Sequence, residues 1–285
     1  MKLLIKSFLN FFWRLHKSKL KKNKTLENLY KGNSCVIIGN GGSIKYFDIK
    51  RHEGFFYMGT TYAMFHKEIE NLKPDFYVIP QKHDFYPFNY SGRYKSKLYI
   101  NYRLKIYKNI FKKAKQTRFF INLSNYYGFF KRPKLLNFFY SFKDLKSTNG
   151  EFEYDLTNNF NCTEGSLGIM IGISKYLGFK RIILIGCDYL GTPKLEGHFY
   201  SNSDPRIGEP IYESYIKKIK KLTHDMEVIT IFPKGISSNE FKSFTYDEFF
   251  EKNYNKKTQI KKNYEIISRE DLNLLNEASK SQLII

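Results

Sequence analysis

Three short clusters combine residue types and spacing suited to holding a ligand, and each stands where an apolar run ends. The first is Gly39-Asn40-Gly41-Gly42-Ser43, directly after Cys35-Val36-Ile37-Ile38. Glycines let backbone N–H groups come close to a phosphate or ribose, and Asn40 and Ser43 add side-chain hydrogen bonds. The segment is neither a G-x-G-x-x-G fingerprint nor a Walker A loop, which needs Lys and then Ser or Thr after its glycines. It reads either as a nucleotide contact or as a structural turn. The second cluster runs from Asn161 to Ser166, where Thr163, Gly165 and Ser166 open a helical stretch; an anion on free N–H groups and plain capping by Thr163 both account for it. The third is Gly186-Cys187-Asp188-Tyr189, with His198 ten residues beyond Asp188. Asp188 can orient His198 or hold a hydroxyl-rich ligand. His198 is the natural general base, because an unperturbed imidazole titrates near neutrality. A solvated bystander is its bland alternative, and His83, after Ile79-Pro80, ranks second.

These clusters need a scaffold that brings strand ends together. Apolar runs at 35–38, 55–59, 75–79 and 182–185 alternate with helical stretches, the pattern of βαβ units in an α/β fold whose mostly parallel sheet is flanked by helices. Ligands of such sheets bind beyond the carboxyl ends of the strands. The spacing predicts a helix from about 165 to 177 ending at Gly178, a helix over 211–222, a last strand over 227–232, and a late helix over 269–282 capped by Ser268 and Asp271. Between 84 and 150 the pattern weakens to a helix near 102–115 and a strand near 118–123, which predicts a smaller, irregular and helical insertion on the acceptor side. The expected organisation is a basic N-terminal segment (1–30), a ligand-binding domain (31–237) and a Lys- and Asn-rich tail (238–285).

Composition narrows the class. With 48 Lys plus Arg against 27 Asp plus Glu, the 285-residue chain carries a formal charge of +21, and 42% hydrophobic residues suffice for a folded core. Three cysteines, Cys35, Cys162 and Cys187, make neither a disulfide framework nor a C-x-x-C metal site. No D-x-D pair occurs, so no metal ligand set is expected. Residues 3–15 predict a basic amphipathic helix, which either lies on an anionic membrane surface together with the lysines up to residue 24 or packs on the body. Residues 1–24 begin like a signal peptide, yet Lys17, Lys19, Lys21, Lys22 and Lys24 stand where a small-residue cleavage site belongs. A cytoplasmic location, peripheral to the inner membrane face, is the expectation.

Val36-Ile37-Ile38-Gly39-Asn40-Gly41-Gly42-Ser43, followed by Asp48, resembles the amino-terminal nucleotide motif of bacterial sialyltransferases of glycosyltransferase family 42. The block from Thr163 through Tyr176-Leu177-Gly178-Phe179-Lys180 to Ile185-Gly186-Cys187-Asp188-Tyr189 resembles that family too. It is equally similar to domain-of-unknown-function family 115, which includes flagellin-glycosylation factors and cell-surface polysaccharide proteins. The resemblance covers about residues 31–80 and 158–235. It implies a Rossmann-like fold and metal-independent, inverting transfer from a CMP-activated nonulosonic acid, such as sialic acid, with a His as base and no cofactor. By position it implies that Gly39, Asn40, Gly41, Gly42 and Ser43 hold the cytidine nucleotide, with Thr61 on the second strand. Thr163, Gly165, Ser166 and Gly186 would meet phosphate or ribose, Asp188 and Tyr189 would flank the donor, and His198 would be the base. The chain departs from the family in four ways: Gly42 stands for its usual Pro, Thr61 for its usual Asn, the Arg that often precedes the second helix is absent, with Cys162 nearby, and His198 lies closer to Asp188 than the family's base does.

The expected partners are therefore a nucleotide-sugar donor and a surface-glycan acceptor, in lipopolysaccharide, capsule or glycoprotein, and a homo-oligomer is compatible with all of this. Nucleic acid is not expected, because the lysines spread through the whole chain rather than forming one patch. The competing readings are a catalytically silent polysaccharide accessory protein and a nucleotide-dependent pyrophosphokinase on the same fold.

Overall fold

The computed structural model describes residues 11, 15–82, 84–86, 97–126, 128, 137–141, 152–162, 165–201, 203–208, 213–251 and 260–283. The predicted helix over 3–15 lies almost wholly outside these residues, as do Thr163, Glu164 and His83.

Strands form where β-branched and aromatic residues cluster. They are β1 (Ser34–Ile38), β2 (Phe55–Thr60), β3 (Phe76–Ile79), β4 (Arg118–Asn122), β5 (Asn137–Ser141), β6 (Glu153–Tyr154), β7 (Phe160–Asn161), β8 (Arg181–Ile185), β9 (Leu195–Glu196), β10 (Arg206–Ile207), β11 (Glu227–Ile231) and β12 (Lys242–Phe244). Among the described residues, eight of them make one sheet in the order β12-β11-β8-β1-β2-β3-β4-β5, and every neighbouring pair in it is parallel. The chain winds outward from β1 to β5, then returns to the other side of β1 with β8. The topological switch point therefore lies between β1 and β8.

Six helices flank this sheet among the described residues: α1 (Lys67–Leu72), α2 (Lys97–Lys113), α3 (Gly165–Tyr176), α4 (Glu213–Leu222), α5 (Asn263–Ile266) and α6 (Arg269–Leu283). Alternation along β1 sends Val36 and Ile38 to the face covered by Ile106 and Ile110 of α2 and Leu274 and Ala278 of α6. Cys35 and Ile37 point to the opposite face, against α3 and α4. Both faces are thus dry, which is why these strands read as unbroken apolar runs rather than as alternating ones. Truncating a fully buried strand residue such as Ile183 to Ala costs about 2–5 kcal/mol. The expected Rossmann-like, mostly parallel architecture is the one found.

Two elements depart from the expected organisation, and a third follows one of its two expected courses. Region 84–150 supplies β4 and β5 to the main sheet, so much of it continues the scaffold instead of standing apart as an insertion. β12 pairs with β11 beyond the boundary drawn at 237, and α6 lies across α2, so the C-terminal region is built into the body rather than trailing from it. Ser268 caps α6 as its sequence suggests: its hydroxyl accepts the Asp271 N–H at 3.1 Å and donates to the Asp271 carboxylate at 2.8 Å. The N-terminal lysine run takes the packed course of the two expected for its segment. Lys17–Leu26 forms a 3-10 helix that buries Leu20, Asn23 and Leu26. Lys22 lies 4.5 Å over the Phe139 ring, and Lys17 reaches Asn158 and Asn159. This part of the segment packs on the body. No helix of the described residues is long and apolar enough to cross a membrane.

Candidate functional site

Register brings the strand ends level. Ile38 stands beside both Gly59 and Ile185, so the turns after β1, β2 and β8 open on one edge of the sheet. At the switch point the turns after β1 and β8 are stitched backbone to backbone: Gly39 N–H donates to the Ile185 carbonyl at 2.8 Å and Gly41 N–H to the Gly186 carbonyl at 2.9 Å. No side chain fits between them, since a Cβ on Gly39 would overlap the Gly186 carbonyl oxygen.

Above this floor opens a cavity of about 650 Å³, a size typical of small-molecule sites. Nine of the residues singled out in the sequence line it: Gly39, Asn40, Gly41, Gly165, Ser166, Gly186, Asp188, Tyr189 and His198. All three sequence clusters therefore meet in one place. Gly42, Ser43 and Thr61 do not line it; they build its rim from behind.

Asp188 faces the protein. It is 3% exposed, and its carboxylate accepts the Ser43 N–H at 2.8 Å and the Ser43 hydroxyl. Burial pushes its pKa up to about 6, against the lowering effect of those bonds. Its carboxyl presses on Gly41, where an added Cβ would lie 2.5 Å from Cγ. Asp188 is thus the clasp of the glycine turn, and it makes no bond to His198. Gly42 is held in turn by the His198 loop, donating to the Gly197 carbonyl at 3.0 Å, and a Cβ there would strike Pro205.

Thr61 has φ +47°, a left-handed conformation that β-branched residues rarely take. The Tyr77 hydroxyl braces this turn by donating to the Thr61 carbonyl at 2.9 Å. The Thr61 hydroxyl accepts from the Asn40 amide nitrogen, which leaves Asn40 Oδ1 buried and unpaired.

His198 stands exposed at the cavity rim. Its Nδ1 lies 3.3 Å from the Asn40 carbonyl, and its ring stacks on Tyr200 at 4.9 Å and 14°. A carbonyl only accepts, so Nδ1 carries the proton and Nε2 keeps its lone pair. Partial desolvation by the surrounding walls lowers the His198 pKa, so the ring is neutral at pH 7.

Sequence reasoning missed Tyr215 and Lys194. Tyr215 belongs to the Lys-rich helix α4; its hydroxyl lies 3.5 Å from that of Tyr189, and their rings meet edge to face. A Cβ added to Gly165 would lie 3.7 Å from the Tyr215 oxygen, so this phenol overhangs the first turn of α3. Burial raises the Tyr189 pKa well above the ordinary phenol value, keeping the group a hydrogen-bond donor. Lys194 also lines the cavity, paired with Glu196 at 3.0 Å. Nothing local in the sequence marks either residue; only the topology carries them to the switch point.

Fold and site define a doubly wound α/β protein with a ligand crevice at its topological switch point. Among solved structures, the chain is similar to the sialyltransferase CstII from Campylobacter jejuni in complex with a substrate analogue, cytidine 5′-monophosphate. Identity is 16% and the TM-score 0.44, over 87% of this chain and 99% of that one. It is also similar to the sialyltransferase CST-II in complex with a trisaccharide acceptor and CMP, at 13% identity and TM-score 0.43, over 86% and 99%. No protein-family model and no curated protein matches the sequence.

Proposed function

We propose that the protein is a glycosyltransferase that moves a nonulosonic acid from a CMP-activated donor to a surface glycan. The observation that carries this reading is the pairing, across one cavity, of a neutral histidine with a free Nε2 and a set of donors suited to an anion. In this reading the start of α3, the Tyr189 and Tyr215 hydroxyls and Lys194 meet the donor phosphate, while Asn40 Oδ1 takes a donor hydrogen of the nucleotide or sugar. His198 Nε2 removes the proton from the acceptor hydroxyl as the sugar–phosphate bond breaks, and CMP leaves with its charge held at the opposite wall. The Asn40 carbonyl keeps the imidazole in the right tautomer and stabilises the imidazolium that forms.

The test begins with thermal shifts of the purified protein against CMP, CDP, UDP, GDP, ADP and ATP, with and without Mg²⁺ or Mn²⁺. A metal-independent stabilisation by CMP alone supports the reading, because a ligand of the folded state stabilises by mass action. A response only to a diphosphate nucleotide with metal, or to none, rejects it. Transfer from CMP-sialic acid to a glycan acceptor is then compared between wild type and His198→Ala, and survival of near wild-type transfer removes His198 from the role. Peripheral association with an anionic membrane face is proposed as the setting that brings the protein to such acceptors.

A further inference from the structure

His198 is one end of a short hydrogen-bonded path that starts in the C-terminal segment. Two bonds close the turn from His198 to Ser201: Ser201 N–H donates to the His198 carbonyl at 2.9 Å, and His198 N–H donates to Ser201 Oγ at 3.2 Å. The backbone of the proposed base is thereby tied to Ser201. The Ser201 carbonyl is itself a node, taking Asn263 Nδ2 at 2.6 Å and Lys45 Nζ at 3.2 Å. Lys45 follows the glycine turn, is 1% exposed, and also donates to the Ser203 carbonyl at 3.2 Å. Its own carbonyl accepts the Lys261 N–H at 3.0 Å, so segment 261–263 is laced to both sides of the His198 loop. An ammonium this buried is costly unless its donors are used, and here they fix backbone beside the cavity.

We infer that Asn263 is a positioning residue for His198, acting through the Ser201 carbonyl, with Lys45 as the second donor to the same oxygen. The inference rests on the transferase reading for its catalytic meaning, but the geometry it asserts can be tested without turnover. The His198 backbone is held toward the glycine turn by the Phe199 N–H on the Asn40 carbonyl at 3.2 Å and from behind by the Ser201 turn, and the Nδ1-to-Asn40 bond needs both. Releasing one side of Ser201 lets that turn shift and frees the imidazole to exchange tautomers. The C-terminal region then has a task at the site beyond covering the sheet.

The experiment uses the full chain labelled with ¹⁵N-histidine, with the His198 signals assigned by their loss in His198→Ala. Wild type at pH 8 is expected to show one tautomer, protonated at Nδ1. Asn263→Leu, which deletes the donor at similar volume, is expected to give exchange-averaged ring nitrogens. Lys45→Met deletes the other donor and reads out the same signal should the first variant fail to fold. On release of CMP from CMP-sialic acid, Asn263→Leu is expected to lower kcat roughly tenfold or more with KM little changed, the size of effect that sub-ångström misplacement produces. Added to His198→Ala, it should cause no further loss. An unchanged His198 tautomer in both variants overturns the inference, as does an equal loss of CMP release with and without His198. If the wild type releases no CMP, the transferase reading fails instead, and the nitrogen spectra alone decide whether Asn263 positions His198.

Discussion

Asp188 holds Ser43 with both carboxylate oxygens, one on the Ser43 N–H at 2.8 Å and the other on its hydroxyl, across 145 residues of chain. This clasp joins the end of β8 to the turn after β1 and sets the shape of the cavity floor.

The clasp predicts a pH signature. Folding raises the Asp188 pKa from 3.8 to about 6, so the native state binds more protons than the unfolded state between those values. Stability from this group is therefore fully present below about pH 4 and is lost as pH rises through about 6, up to about 3 kcal/mol for a shift of this size. Asp188→Asn, which still offers an acceptor to Ser43, should lack this component. Urea midpoints of the two proteins between pH 4 and 7 check it, and parallel curves would refute it.

At Thr61 the backbone is strained. Asn tolerates φ +47° far better than a β-branched residue, so Thr61→Asn is expected to stabilise by about 1 kcal/mol, whereas Thr61→Val keeps the strain and loses the bond to Asn40. Chemical denaturation of both variants should move in opposite directions.

For His198 as the proposed general base, the active form is the neutral ring. With its pKa below the ordinary 6.5, kcat/KM should rise with pH and level off before pH 7. A rate that falls over this range would assign the proton transfer elsewhere.

Asn23 anchors the N-terminal segment, fully buried and donating to the Tyr140 and Leu156 carbonyls at 2.7 and 2.6 Å. Asn23→Ala removes both of these buried hydrogen bonds and should cost roughly 2 kcal/mol in unfolding free energy. Deleting residues 1–24 would remove Leu20 and Asn23 from the body along with any lipid contact. Liposome flotation should therefore use charge reversal at the exposed Lys21 and Lys24, which leaves that packing intact.

Much of the scaffold was legible because β1, β2, β3 and β8 are buried on both faces and α3 ends at a glycine with φ +91°. β5 and β12 were not. The first, Asn-Phe-Phe-Tyr-Ser, lies in a stretch uniformly rich in aromatics, and the second is a polar three-residue edge strand; neither carries a period to read. At the site, sequence located the strand ends but not the direction of each side chain. Ser43 and Asp188 both read as ligand contacts, yet they satisfy each other, and Tyr215 reads as an ordinary residue of an amphipathic helix. Inward and outward orientation at a turn depends on what the neighbouring turn presents, and that neighbour arrives from the far half of the chain.

The glycine floor divides the cavity into a part that is free to diverge and a part that is not. Gly39 and Gly186 meet peptide to peptide, and a Cβ on Gly186 would lie 2.8 Å from Ile44 Cγ2, so any side chain gained at either position pries β1 from β8. Retuning toward another ligand must then proceed through the walls, at residues such as Lys194 and Tyr215, which stand on a loop and on α4 rather than between the strands. A lineage built on this floor can exchange its substrate while its glycines stand still.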